Sequence, residues 1–369
     1  MKARVAADLK EFNRMLVYKL VRSEGSISKT EIAKRLGLSV PTVITIIEYF
    51  MGLGMMGNDG EALAALGRRP MMLSLRATAA YAVGAEYDGV HLRVGLVDLA
   101  GRIHSLRRSP APPDLGLLLG KLLADEVQAL VRESGLSAAY VKGLGVGVPG
   151  VVHPAERSIS QAPLVGVKEK VEFGALVTRL EERLGLPVIV ANDANAAALG
   201  ELAVRGTGRR GDLIFVELGR GVGAGLVLDG RLREGPGFSA GEIGYMIHDR
   251  GTGPAAEGPG WLESAMDLES FWAEVDRHGR PTDASIERVG KLLALGLANL
   301  CIALDIRSVV LGRAGNLSFE PALLSCLRAE INRLCLFEVA CDFSAAEEPG
   351  VSGAAGLALD AWLQGVCAG

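Results

Sequence analysis

Strand-like apolar segments that end in glycine or in a carboxylate alternate with helical segments over most of the sequence after Tyr81. "VKGLGVGVPGVV" and "PVIVAND" have the length and β-branched content of buried strands, and "FGALVTRLEERLG" and "ANAAALGELAVRG" have helical periodicity. "DLIFVELG", "GAGLVLDG" and "SVVLG" repeat the pattern further along the chain. Strands that alternate with helices predict sheets covered by helices, and two such halves predict a bilobal α/β body with a cleft between its lobes.

The first part of the chain has a different pattern, with three amphipathic helical segments between Phe12 and Leu53: "EFNRMLVYKLVRSEG", "SKTEIAKRLGL" and "SVPTVITIIEYFMGLG". Ser28 is placed to cap the second segment, with Glu31 completing a capping box, and Gly37 supplies a tight turn. Ser39 is placed to cap the third. This spacing predicts a helix-turn-helix unit, and the following residues can form a hairpin wing that leads to "GRRP".

A unit of this kind binds DNA with its second helix in the major groove. The predicted DNA-binding residues are Ser28, Lys29, Ser39, Val40, Thr42, Thr45, Arg68 and Arg69. The third segment is expected to expose Val40, Thr42, Thr45 and Ile46, which favours apolar contact with thymine methyls over bidentate base contacts. The alternative is a small protein-interaction module.

Charge divides the chain in the same way. Residues 1–76 contain twelve Lys or Arg against seven Asp or Glu, a net charge of +5, whereas the whole chain carries −4. A basic head on an acidic body favours nucleic acid as the partner of the head. The apolar segments fall short of the length of a membrane span and the N-terminus is too polar for a secretory signal, so we expect a cytoplasmic protein with no membrane partner. The five cysteines form no C-x-x-C pair and are expected to be buried, reduced thiols.

Five segments occur in a fixed order along the body: "LGVGVPGVV", "PVIVANDANAAALGE", "ELGRGVGAGLVLDG", "AGEIGY" and "GWLE". In this order and at these distances they resemble the ROK family of repressors, open reading frames and sugar kinases, which belongs to the actin-like ATPase superfamily. The head resembles that of the family's transcriptional repressors, such as the N-acetylglucosamine and xylose repressors, through "EIAKRLGLSVPTV" and "GRRP". The resemblance runs from about Phe12 to Gly356.

The resemblance implies a sugar site at Asn192 and Asp193. In the family's kinases the Asp of this motif accepts the proton of the sugar hydroxyl and the neighbouring Asn binds the sugar. A strand that ends in an amide and a carboxylate offers the donors and acceptors that ring hydroxyls need. The alternative is that Asp193 and Asn195 only cap the helix that follows.

The family's phosphate-binding loops are altered in this sequence. Alignment with an Asp-x-Gly-Gly-Thr loop places Glu86 at the Asp and Val90 at the Thr, and a Gly-Thr-Gly-x-Gly loop reads with Arg220 at its Thr. Loss of both hydroxyls argues against phosphoryl transfer, which needs hydroxyls and glycine N–H groups around the nucleotide. We therefore expect no ATP or Mg²⁺ cofactor and no catalytic residue, with Asp193 as the base if the protein is a kinase after all.

The segment from Gly241 to Glu263 aligns with the family's zinc loop. Glu242 and Glu263 correspond to carboxylates that bind the sugar, and Tyr245 is a further candidate ligand-binding residue. The metal ligands are replaced by Tyr245, Pro254, Ala256 and Trp261, and none of these side chains coordinates Zn²⁺. We expect no structural zinc, with Trp261 packed in the core.

Together these features predict a fold with an N-terminal winged helix-turn-helix followed by a bilobal, actin-like ATPase body. The expected domains are residues 1–76, the DNA-binding head with its linker; 77–190, the first lobe; and 191–369, the second lobe, with a C-terminal helix that can return to the first. The predicted function is a sugar-responsive transcriptional regulator, a repressor that binds operator DNA as a homodimer or tetramer and a sugar in the cleft. An ATP-dependent sugar kinase with a fused DNA-binding head and a regulator that senses a protein partner are the alternatives.

Overall fold

The computed structural model describes residues 2–61, 71–205, 211–247, 260–313 and 317–369. The head consists of helices α1 (Lys2–Glu24), α2 (Lys29–Leu36) and α3 (Val40–Gly52) and strands β1 (Ser26–Ser28), β2 (Met56–Glu61) and β3 (Met71–Leu75). The three strands form one antiparallel sheet in the order β1-β3-β2. Helix α1 begins at Lys2, well before Phe12, where the sequence pattern placed its start.

Hydroxyl caps begin both short helices of the head. The Ser28 hydroxyl accepts a hydrogen bond from the Glu31 N–H at 3.2 Å, and the Ser39 hydroxyl accepts one from the Thr42 N–H at 3.2 Å. Gly37 ends α2 in the left-handed conformation, φ 65°, which glycine adopts without steric cost. The prediction that Ile46 is exposed is wrong: it is buried, because α3 turns the face of Val43, Ile46, Ile47 and Phe50 into the core of the head.

The first sheet of the body has the order β11-β7-β4-β5-β6. Its part of the chain contains β4 (Tyr81–Tyr87), β5 (His91–Asp98), β6 (Ile103–Pro110), β7 (Val141–Val148), the small strands β8 (Val151–His153), β9 (Ser158–Ser160) and β10 (Val171–Glu172), and β11 (Val188–Asn192). The helices are α4 (Leu115–Leu117), which continues through a π-helical turn (Leu118–Leu122) into α5 (Leu123–Ser134), and α6 (Gly174–Leu184). Strands β4, β7 and β11 are parallel, so their carboxyl ends lie at one edge of the sheet.

The second sheet has the order β14-β13-β12-β15-β16. Its strands are β12 (Leu213–Leu218), β13 (Val222–Leu228), β14 (Arg231–Leu232), β15 (Ser308–Leu311) and β16 (Ala340–Phe343). The helices are α7 (Asp193–Arg205), α8 (Trp261–Met266), α9 (Leu268–His278), α10 (Asp283–Leu304), α11 (Glu320–Leu334) and α12 (Pro349–Ala368). Because β11 extends to Asn192, the first sheet ends two residues beyond the boundary expected at 190.

Helix α12, the last in the chain, packs against β4 and β7 of the first sheet and along α7. Glycine makes this packing possible. A Cβ atom added at Gly145 on β7 would lie 1.8 Å from the Ala354 carbonyl oxygen, and one at Gly353 would lie 1.7 Å from the Ala196 carbonyl oxygen. Backbones therefore touch directly where α12 crosses β7 and α7.

A buried carboxylate fixes the chain just before α12. Glu201 of α7 is fully buried and accepts hydrogen bonds from the Ser344 hydroxyl at 2.7 Å and from the N–H groups of Ala345 at 3.0 Å and Ala346 at 3.2 Å. Arg205, one helical turn away, donates to the other carboxylate oxygen of Glu201. These bonds join α7 to the segment that leads into α12.

The cysteines are free thiols, and the expectation that all five are buried is wrong for two of them. Cys301, Cys341 and Cys367 are buried, and Cys326 and Cys335 are partly exposed. Within the described ranges, none of the helices is both long and apolar enough to cross a membrane.

The glycine contacts of α12 lead to a paired prediction. Gly353→Ala forces a Cβ into the Ala196 backbone and is expected to destabilise the protein by about 1–3 kcal/mol. Gly356→Ala, on the same helix with no heavy atom within 4 Å of the new Cβ, is expected to stabilise it by about 1 kcal/mol. Urea denaturation followed by circular dichroism measures both, and equal effects of the two substitutions would contradict direct backbone packing.

Candidate functional site

The carboxyl end of β11 meets the start of α7 at Asn192 and Asp193. The Asn192 amide donates to the Gly150 carbonyl at 3.1 Å and to Asp193 Oδ1 at 3.0 Å, and its oxygen accepts from the Asn195 N–H at 2.9 Å. Asp193 Oδ1 also accepts from the Ala194 N–H at 2.8 Å. Both side chains are held in fixed orientations at the edge of the sheet.

The alternative that this motif caps the following helix is correct in part. Asn192 and Asp193 accept hydrogen bonds from N–H groups in the first turn of α7. Asn195, in contrast, is buried, and its side-chain oxygen has no hydrogen-bond partner among the described residues. Capping and ligand binding are compatible here, since Asn192 and Asp193 are both partly exposed.

Glu242 lies close enough to two other carboxylates, Asp193 and Glu263, for their charges to act on it. Burial raises the pKa of Asp193 to about 6, although the Ala194 N–H lowers it. Burial raises the pKa of Glu242 to about 7, with further increases from the charges of Asp193 and Glu263. Burial also raises the pKa of Glu263 to about 7. Three carboxylates from separate segments therefore face one poorly solvated space.

Glycine again makes room at this site. A Cβ at Gly244 would lie 2.8 Å from Glu263 Oε2, and one at Gly221 would lie 3.3 Å from Glu263 Oε1. Tyr245 lies in the same group, because burial first and then the charges of Glu242 and Glu263 raise the pKa of its hydroxyl. The predicted residues Asn192, Asp193, Glu242, Tyr245 and Glu263 are thus brought together.

The segment between Tyr245 and Trp261 is described only at its ends. Pro254 and Ala256, predicted to stand at former zinc positions, lie outside the described residues. Trp261 begins α8, is partly buried and has an indole N–H without a partner in the described structure. A Cβ at Gly260 would lie 2.1 Å from the Gly244 carbonyl oxygen, so the two ends of the segment are adjacent. Within the described ranges, no group of three or more His, Cys, Asp or Glu side chains could hold a metal ion.

The first altered phosphate loop contains an internal ion pair. Glu86 on β4 is buried and lies opposite Arg93 on β5, with Arg93 Nη2 3.0 Å from Glu86 Oε1. Burial raises the pKa of Glu86 to about 7, Arg93 lowers it, and the charges of Glu348 and Asp193 raise it. The Val90 N–H donates to Asp88 Oδ1 at 2.9 Å, so a side chain of the loop itself occupies this donor.

Arg220 belongs to the second altered loop. It is exposed and pairs with Asp276 on α9, with Arg220 Nη2 3.2 Å from Asp276 Oδ2. The carbonyl of the preceding Gly219 accepts a hydrogen bond from the Trp272 indole. The Arg220 guanidinium is thus held by Asp276 of α9.

Glu217, Arg93 and Glu348 are site residues that the sequence analysis missed. Burial and the charges of Glu86 and Asp193 raise the pKa of Glu217 well above its usual range. Glu217 is the second-last residue of β12, so a carboxylate near the end of a buried strand was the available signal. Arg93 and Glu348 gave no such signal, because their proximity to Glu86 depends on strand register and on the return of α12.

The predicted DNA-binding residues of the head divide into three groups. Val40 and Thr45 are exposed on α3, Lys29 and Thr42 are partly exposed, and Ser39 is an exposed cap. Ser28 is buried with its hydroxyl engaged as a cap, so the structure supports a role in holding α2. Arg68 and Arg69 lie outside the described residues.

The chain is similar to several known proteins. Residues 82–260 match the model of the ROK family. A xylose repressor of Caldicellulosiruptor bescii is 28% identical over 239 residues, which is 64% of this chain and 59% of the relative. The chain therefore spans somewhat less than two thirds of the length of that curated relative.

Two solved structures share the fold. A ROK family transcriptional regulator, described as a homologue of the E. coli MLC protein, superposes with a TM-score of 0.74 at 20% identity and covers 98% of this chain and 99% of its own. A ROK family glucokinase from Streptomyces griseus, in complex with glucose and AMPPNP, superposes with a TM-score of 0.60 at 24% identity and covers 76% of this chain and 100% of its own. At these identities the likeness shows the fold. The protein is thus an α/β chain whose residues 82–260 match the ROK family model and whose fold is shared with a ROK family transcriptional regulator.

Proposed function

We propose that this protein is a sugar-responsive transcriptional regulator, a repressor that binds operator DNA through its head and a sugar or sugar derivative in the cleft of its body. The observation that carries the proposal is the convergence of Asp193, Glu242 and Glu263 in one cleft of a chain that also has a capped helix-turn-helix head. The similarity to a xylose repressor and to a ROK transcriptional regulator supports it. The same proposal includes the division into a head (1–76) and two lobes (77–190 and 191–369).

The chemistry of the cleft suits a neutral polyol. Ionised carboxylates accept hydrogen bonds from hydroxyls, and bonds to charged acceptors are the stronger ones. Asn192 adds an amide and Tyr245 a phenol and an aromatic ring. A cation would also suit three carboxylates, but within the described ranges no group of three or more His, Cys, Asp or Glu side chains has the arrangement of a metal site, and Arg93 already supplies positive charge near Glu86.

The alternative of a sugar kinase is less well supported by the residues. Val90 replaces the hydroxyl residue of the first phosphate loop, and Arg220 replaces that of the second. The Val90 N–H already donates a hydrogen bond to Asp88. Phosphoryl transfer depends on such donors around the nucleotide. The similarity in fold to a glucokinase keeps catalysis by Asp193 as the second candidate. A body that responds to a protein partner is the third, and it predicts no response to any sugar.

Sugar binding is expected to depend on pH. The folded pKa values of Glu242 and Glu263 are about 7, so these groups are largely protonated at pH 5.5 and ionised at pH 8. A sugar hydroxyl binds the ionised form better, so affinity should rise with pH across this range. Isothermal titration calorimetry with D-xylose, D-glucose and N-acetyl-D-glucosamine measures it.

A matched pair of variants tests whether Glu242 causes the pH dependence of sugar affinity. Glu242→Gln should lower the affinity for the bound sugar by about tenfold or more at pH 8 and flatten the pH dependence, since the charged acceptor is lost. Glu338→Gln, at an exposed position after α11, should change neither. Equal affinities of the wild type and Glu242→Gln at every pH would remove Glu242 from the site.

Catalysis is tested with the same sugars and ATP in a coupled ADP-release assay. We expect no ADP release above the rate without sugar, because both loop hydroxyls are replaced and the Val90 N–H already donates to Asp88. Sugar-dependent turnover that disappears in Asp193→Ala would establish the kinase instead.

DNA binding by the head is expected to weaken with salt. A fragment selected by the protein from a random-sequence library should bind with an affinity that falls linearly on a log–log scale with salt. Lys29→Ala should reduce the slope by about one counterion, whereas Lys121→Ala, exposed on the body, should leave it unchanged. If the protein selects no sequence and binds without salt dependence, the head is a protein-interaction module.

A further inference from the structure

Helix α12 extends from the carboxylates of the cleft to the head. It contains 20 residues, Pro349–Ala368, and is therefore about 30 Å long. Its first turn packs on Glu86, where a Cβ at Gly350 would lie 2.3 Å from the Glu86 carboxyl carbon. Glu348, the residue before the helix, pairs with Arg108 and lies 4.0 Å from Arg93 Nη1. The start of α12 is thus part of the charged wall of the cleft.

The first two turns of α12 pack against α7, the helix that begins at Asp193. A Cβ at Gly200 of α7 would lie 2.0 Å from the Pro349 carbonyl oxygen, and Gly353 of α12 has the corresponding contact with Ala196. With no side chains between the two backbones, a displacement of α7 cannot be absorbed by a change of rotamer. It has to move α12.

The end of α12 is bound by two residues of the head. A helix terminus leaves its last carbonyl groups without partners inside the helix. The Tyr49 hydroxyl, on α3, donates to the Val366 carbonyl, and Arg14 Nη1, on α1, donates to the Cys367 carbonyl at 2.9 Å. Arg14 is buried, and its guanidinium lies 3.5 Å from the centre of the Tyr49 ring. A cation at the carboxyl end of a helix also matches the helix dipole.

The core around these bonds is continuous between head and body. Buried side chains of α1 and α3 share one apolar cluster with α12 and with the outer face of β4 and β5; its members include Val17, Val21, Ile47, Phe50, Ala82, Val97, Leu359 and Leu363. The head therefore sits on α12 through packing as well as through the covalent connection after β3.

We propose that α12 transmits occupancy of the cleft to the helix α3 that contacts DNA, and that Tyr49 and Arg14 are the contacts through which α3 follows α12. This inference rests on the proposed function. A ligand that pulls Asp193 and Glu242 together shifts α7, α7 shifts α12, and the last turn of α12 reorients α3. Allosteric coupling of this kind commonly changes an affinity by about 5- to 150-fold.

The test compares two Tyr→Phe substitutions in the same core. Tyr49→Phe removes the bond to Val366 and keeps the ring, whereas Tyr18→Phe removes a buried hydroxyl that has no partner in the described structure. For each variant we would measure the sugar dissociation constant and the ratio of operator affinities without and with that sugar, at fixed ionic strength. Arg14→Lys, which keeps the charge and loses the planar guanidinium, is the second variant of the contact.

Tyr49→Phe and Arg14→Lys should bind sugar within twofold of the wild type, while their ratio of operator affinities falls at least fivefold. Tyr18→Phe should leave both quantities within twofold. A wild-type ratio in Tyr49→Phe and Arg14→Lys would overturn the proposal. A wild type that shows no sugar effect at all would instead contradict the proposed function.

A second measurement needs neither sugar nor DNA. Gly353→Ala pushes α12 away from α7, and in the wild-type background we expect it to speed amide hydrogen exchange of residues 40–52 at least threefold more than that of residues 213–218, which reports the general loss of stability. In a Tyr49→Phe background this excess over residues 213–218 should disappear, because α3 no longer follows α12. Additive effects of the two substitutions, or an unchanged exchange rate in Gly353→Ala, would show that α12 does not transmit the displacement.

Discussion

The fold depends on the direct contact of backbones along α12. Gly84 and Gly145 on the central strands of the first sheet, Gly200 on α7 and Gly353 on α12 itself remove the side chains that would otherwise separate these elements. Close contact of this kind excludes water and gives dense packing, but it tolerates no added atom. The last helix of the chain therefore joins the first sheet, the first helix of the second lobe and the head into one packed unit.

The carboxylates of the candidate site combine negative charge with poor solvation. Glu86, Asp193, Glu217, Glu242 and Glu263 all have raised pKa values, with burial as the main cause in each. Arg93 is the cation placed among the first three. Perturbed carboxylates in a cleft are typical of functional sites, because a protein that needed only stability would not retain them. The position of Arg93 is fixed by cross-strand pairing with Glu86.

Helix caps, turns and strands were predicted well, because they depend on residues that are close together in the sequence. The caps at Ser28 and Ser39 and the left-handed turn at Gly37 depend on residues a few positions apart. The strands of the body were predicted from short runs of consecutive apolar residues, which are visible in the sequence itself. Family motifs placed Asn192, Asp193, Glu242, Tyr245 and Glu263 in one site. Burial of Ile46 could not be deduced in the same way, because it depends on which face of α3 packs against α1. Arg93, Glu217 and Glu348 were missed for a similar reason: strand register and a helix that returns from the far end of the chain bring them together.

Glu201, which holds the segment before α12, has a consequence for how the protein responds to acid. Its hydrogen bonds to Arg205, Ser344, Ala345 and Ala346 outweigh burial and lower its pKa, so its contribution to stability is present above the pKa of an unfolded glutamate and is lost as pH falls through the lower folded value. The cleft carboxylates act in the opposite direction. The raised pKa values of Glu242 and Glu263 favour the folded state below the unfolded pKa, and that advantage is lost as pH rises through about 7. Stability should therefore be greatest in mildly acidic solution: stronger acid loosens the α7–α12 junction, and a rise of pH through about 7 loosens the packing around Glu242 and Glu263.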